Sequence, residues 1–68
     1  MTLIKFHQAY EAIIYSDSLA YEKDRRLAEL MSDMEGHYDI PSLRKAEYEE
    51  KNRAIIALYR KISKSRSL

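Results

Sequence analysis

His7 and Glu11 stand four residues apart, a spacing that on a helix sets an imidazole and a carboxylate on one face, one turn from each other. That is half of a metal site, and a tetrahedral zinc centre needs three or four ligands. The second histidine, His37, has only Asp39 beside it, and there is neither a cysteine nor a His-Glu-x-x-His run to complete a set. No metal or cofactor is expected. Asp17 and Asp24 fall seven residues apart on an otherwise apolar column, where paired carboxylates in a cleft with shifted pKa values could do general acid–base work. Two packed helices offer little cleft. The acids read better as the place where an apolar seam opens to water, or where Lys51 or Arg53 of an antiparallel second arm comes alongside. The single glycine excludes a phosphate-cradling loop, and most serines cluster at 16–18 and in the tail, so nucleophilic catalysis has no support. The expectation is a protein that is not an enzyme.

Binding chemistry has more to work with. Arg53, Arg60, Lys61, Lys64 and Arg66 give the C-terminal helix a basic surface that could meet phosphates or an acidic partner. Those residues also stand where the helix dipole favours cations, and no aromatic or amide reading set is interleaved, which argues against nucleic acid. Met31 and Met34 sit at helical spacing on the main apolar seam and read as core. The six tyrosines are more informative, because Tyr15 falls on the outer face of the first helical segment and Tyr21 on its flank. Tyrosine buries much area at low entropic cost and is favoured in interfaces. With Ile4 and Ile14 these two form the candidate partner-binding patch, for a protein partner or a second copy of the chain.

The elements that must position these residues are helices. Apolar residues recur every seventh position at Phe6, Ile13, Ala20, Leu27 and Met34, and a companion column runs Leu3, Tyr10, Asp17, Asp24, Met31. With neither proline nor glycine between Leu3 and Glu35, one long helix over about 3–35 is expected. Ile14, Tyr21, Ala28 and Leu30 widen the seam beyond a two-stranded zipper and imply more than one packing neighbour. Ser16-Asp17-Ser18 is the one stretch that could break it, giving a three-helix bundle as the alternative. Gly36, followed by Ile40-Pro41, predicts a stop and an inter-helix loop over 36–42. Ser42 then caps a second helix over about 43–64 whose inward face is Tyr48, Ile55, Tyr59 and Ile62, flanked by Ile56 and Leu58. Glu50, Arg53, Ala57, Arg60, Lys61 and Lys64 form its wet face, and residues 65–68 form a fraying tail. The architecture is an all-α antiparallel hairpin.

Length and composition set the limits. A chain of 68 residues makes one small helical domain that buries only about 60% of its unfolded surface, so its stability is thin. Without cysteines, self-association is the open route to a larger core, and a homodimer is expected. The start Met1-Thr2-Leu3-Ile4-Lys5 lacks the pattern of a signal peptide, no run approaches a membrane span, and the lack of cysteine fits a cytoplasmic protein. Residues 1–42 hold four Lys/Arg against eight Asp/Glu, and residues 43–68 eight against three. Opposite charge on the two arms lets them attract each other.

Asn52-Arg53, Ile55, Leu58, Lys64 and the ending Arg66-Ser67-Leu68 resemble the second helix of the Sda family, helical-hairpin inhibitors of sporulation histidine kinases, over less than half the chain. That resemblance implies a small regulator docking on a signalling protein. The layout is also similar to the small helical-hairpin phosphatases of response regulators. Their Ser-Gln-x-x-Asp motif is replaced by Leu58-Tyr59-Arg60-Lys61-Ile62-Ser63, so none of their activity carries over.

Overall fold

The computed structural model describes residues 2–41, 43 and 45–66, and every regular element among them is a helix: α1 (Leu3–Ile14), α2 (Ala20–Tyr38), α3 (Ala46–Lys51) and α4 (Arg53–Ser65). The chain is all-α, as its periodicity predicts. The long helix expected over 3–35 is instead divided, in favour of the three-helix alternative. Ser16 is the cause: its hydroxyl and its amide both bond the carbonyl of Ile13, at 2.8 and 3.2 Å, and so compete with helix propagation. Lys23 then reaches back from α2 to the free carbonyl of Ile14 at 3.1 Å. The heptad phase survives the break because each arm is amphipathic in its own right, not because the helix continues.

Gly36 is not the stop. It lies inside α2, which runs on to Tyr38 and ends at Asp39, whose backbone is left-handed at φ 52°. Tertiary contacts hold the extra turn. The Phe6 ring packs 5.6 Å from both His37 and Tyr38, and the Tyr48 hydroxyl donates to the Tyr38 carbonyl at 2.8 Å, satisfying a helix-end acceptor. The segment between helices thus falls at 39–45 rather than 36–42, and Ser42, expected as a cap, lies outside the described residues. The helix expected over 43–64 is also divided. Asn52 donates its side-chain amide to the Tyr48 carbonyl at 2.9 Å and takes φ −128°, ψ 44°, so α3 forms a short lead-in to α4.

Phe6 meets the end of α2 while Ile14 meets its start, so α1 and α2 are antiparallel. Glu35 bonds Tyr59 and Asp24 meets Arg66, so α2 and α4 are antiparallel as well. Consequently α1 and α4 run the same way on either side of α2. The core between them is Phe6 and Tyr10 from α1, Leu27, Leu30 and Met34 from α2, and Leu58 and Ile62 from α4. Phe6, Leu27, Met34 and Ile62 are completely enclosed, each stabilising the fold by about 1.5–3 kcal/mol of transfer free energy. Leu58 and Ile56, expected as flanks of α4, are more buried than Ile55 and Tyr59, expected at its centre. The helix rotates because it serves two neighbours.

The body measures 38 × 24 × 16 Å. Wider than deep, it leaves α1 and α4 splayed along α2. The tail, expected to fray from residue 65, is held at its start: Ser65 ends α4 and Arg66 turns in to Asp24.

Candidate interaction surface

The two halves of the hypothetical chemistry are kept apart. His7 Nδ1 lies 3.3 Å from Glu11 on an open face of α1, while His37 packs edge-on to Tyr38 with ring centroids 4.7 Å apart at the end of α2. Among the described residues no group of three or more histidines and acids could hold a metal ion. Asp17 is exposed in the 15–19 break, whereas the Asp24 side chain is only 6% exposed. The cation beside Asp24 is Arg66, with Nε 3.5 Å from Oδ1, and not Lys51 or Arg53. The longer connection explains this, because α2 runs on to Tyr38 and α3 intervenes before α4. That register sets Asp24, near the start of α2, opposite the last turn of α4 rather than its first.

The polar groups between α2 and α4 are used to hold the fold. Tyr59 donates its hydroxyl to Glu35, and burial first, then that bond, push its pKa up to about 12. Burial likewise raises the Tyr48 phenol, with the Asp39 charge second. Both phenols are held in the protonated, donating form. A cavity of about 400 Å³ beside them is lined by Ile40, Pro41, Leu43 and Ile56 as well as Tyr48 and Tyr59. Of its charged lining, Glu35 is bound by Tyr59 and Glu49 by Arg60.

The basic surface is divided by its partners. Arg53, Lys61 and Lys64 are exposed, but Arg60 is bound by Glu49 from α3 and Arg66 turns away toward α2. Lys61 rests its ammonium 5.5 Å from the centroid of the Tyr10 ring. Glu49 and Glu50 of α3 line the same shallow depression as Arg53 and Arg60, so acids of the lead-in helix offset the bases at that end of α4.

The apolar patch predicted at Ile4, Ile14, Tyr15 and Tyr21 is split between two ends of the molecule. Ile14 is half-buried against the core, whereas Ile4, Tyr15 and Tyr21 are 71%, 80% and 64% exposed. Tyr15 and Tyr21 flank the α1–α2 break together with Leu19, which is equally open. Ile4 lies eleven residues before Tyr15 on the same side of α1, about 16 Å away along the axis. There it forms one wall of an open groove of about 610 Å³ between α1 and α4. Ala54, Ala57 and Leu58 form the other wall. Ala57 is exposed, as its place on the wet face predicts, but the groove that it and Ala54 form against α1 was not expected. The available signal was two small residues, three apart, interrupting a row of charges.

No family model, curated protein or solved structure matches this chain. No helix of the described residues is long and apolar enough to cross a membrane.

Proposed function

We propose that this chain is a small, non-enzymatic helical interaction module whose partner is a second copy of itself. The observation that carries the reading is surplus exposed surface that includes several large apolar side chains. The chain exposes 5076 Å², where a monomer of 8.1 kDa typically exposes about 4,500 Å². The surplus approaches the roughly 800 Å² that each partner contributes to a standard interface. It is accompanied by open Ile4, Tyr15, Leu19 and Tyr21, side chains that a monomer of this size could otherwise bury. Dimerisation enlarges a core that rests on few fully enclosed side chains.

Sedimentation equilibrium across the micromolar to millimolar range tests it directly. A reversible monomer–dimer equilibrium is expected, with thermal stability rising with concentration. A folded chain that stays monomeric throughout, with a concentration-independent Tm, overturns the reading.

The second reading is docking of α4 on an acidic protein partner, favoured by exposed Arg53, Lys61 and Lys64. Charge reversal at Arg53 and Lys64 then abolishes capture of an acidic partner, and unchanged capture removes that alternative. Glu49 and Glu50 of α3 lie beside Arg53 and Arg60 and offset part of that charge, which makes this reading the weaker of the two.

A further inference from the structure

We propose that the groove between α1 and α4 is the dimer interface, closed by the same groove of a second copy about a two-fold axis parallel to the helices. This rests on the self-association proposed above and adds the face, the orientation and the contacts.

The argument begins with the unlike walls of the groove. The α1 wall is bulky and carries one carboxylate, with Leu3 and Ile4 at one end and Glu11, beside His7, at the other. The α4 wall is small and basic, with Ala54 and Ala57 at one end and Lys61 at the other. The ends correspond, because Tyr10 bonds Ser65 at 2.7 Å and carries Lys61 over its ring, which fixes Glu11 and Lys61 at one level. Leu3 and Ala54 each lie seven or eight residues earlier on helices running the same way.

A two-fold axis along the groove lays the α1 wall of each copy on the α4 wall of the other. Ile4 then enters the space left by Ala54 and Ala57, and Glu11 faces Lys61 of the second copy, each contact made twice. The alternative axis, across the groove, sets α1 on α1 and α4 on α4. It opposes Glu11 to Ile4 and Lys61 to Ala54, desolvating charges against methyl groups. Size and charge complementarity therefore both select the first orientation.

A charge-swap experiment on the full chain decides it. Glu11→Lys places two like-charged pairs in its own homodimer, and Lys61→Glu does the same with the opposite sign. Each variant alone should weaken dimerisation by about tenfold or more, since like charges across an interface suppress pairing. Mixed in equal amounts, the two should form heterodimers, because both cross pairs become opposite in charge. Circular dichroism checks that each variant keeps its helicity, which exposed positions permit. Variants that self-associate as tightly as the parent and show no preference for each other would overturn the groove while leaving self-association standing. Loss of the dimer on Tyr15→Arg or Tyr21→Arg, with no effect of the swap, would place the second copy at the α1–α2 end and likewise overturn it. A parent chain that never dimerises overturns this inference and the reading beneath it.

Discussion

Tyr10 donates its hydroxyl to Ser65 across 2.7 Å and fifty-five residues of sequence. The direction follows from Ser65, whose single proton is committed to the Lys61 carbonyl at 2.9 Å. This bond ties the middle of α1 to the last turn of α4 at the edge of the core, where Tyr10 is only 7% exposed. Tyr10→Phe keeps the buried ring and deletes the bond, so it should cost about 1 kcal/mol in urea denaturation. Ser65→Ala should cost a similar amount, and the double variant less than the sum of the two. Strict additivity would show that the two hydroxyls do not share a bond in solution.

Arg66 and Asp24 form an asymmetric pair: the carboxylate side chain is 6% exposed, the guanidinium side chain 32%. The arginine can turn to water if its partner is lost, and the aspartate cannot. Arg66→Met should therefore destabilise the chain more than Asp24→Asn, by about 1 kcal/mol after allowance for solvent screening at the exposed partner. Equal effects from the two substitutions would argue that the pair is open to solvent.

The heptad columns mark half of the core: Phe6, Tyr10, Leu27 and Met34 are buried where the seven-residue spacing puts them, whereas Ala20 of the same column is exposed. The charge difference between the arms is partly realised in Arg66 with Asp24. The breaks were harder to read. A helical period cannot distinguish a continuous helix from two in-phase arms that fold back, and the deciding event was local, with Ser16 bonding Ile13. The end of α2 was hidden for the opposite reason. Gly36 carries the local signal for a stop, but Phe6 packing on His37 and Tyr38 continues the helix past it. The groove was the least legible feature, because Ala54 and Ala57 acquire meaning only when α1 is brought beside them.

Gly36 offers a direct check on that tertiary override. It sits within α2 with no positive φ, and a methyl group added there meets nothing within 4 Å. Gly36→Ala should stabilise the chain by about 0.5–1 kcal/mol through helix propensity and a less flexible unfolded state. The converse test is Asp39, left-handed at φ 52°, where Asp39→Val should destabilise by about 1–2 kcal/mol. Destabilisation by Gly36→Ala, seen as a lower Tm, would restore the glycine as the helix terminator.

Tyr59 gives the fold an alkaline limit. Its pKa rises from the ordinary 10.0 to about 12, chiefly by burial and then by its bond to Glu35. The unfolded chain therefore loses this proton more readily than the folded one. Stability from the protonated phenol is fully present below pH 10 and is lost as pH rises through about 12. Urea midpoints measured on ascending pH should fall within that window for the parent chain, and the fall should be shallower in Tyr59→Phe, which has no proton to lose. Glu35→Gln removes the carboxylate charge and keeps a hydrogen-bond acceptor, so it should lower the phenol's apparent pKa only partway, followed as tyrosinate absorbance. A full return to the ordinary value in Glu35→Gln would make the carboxylate, rather than burial, the dominant cause.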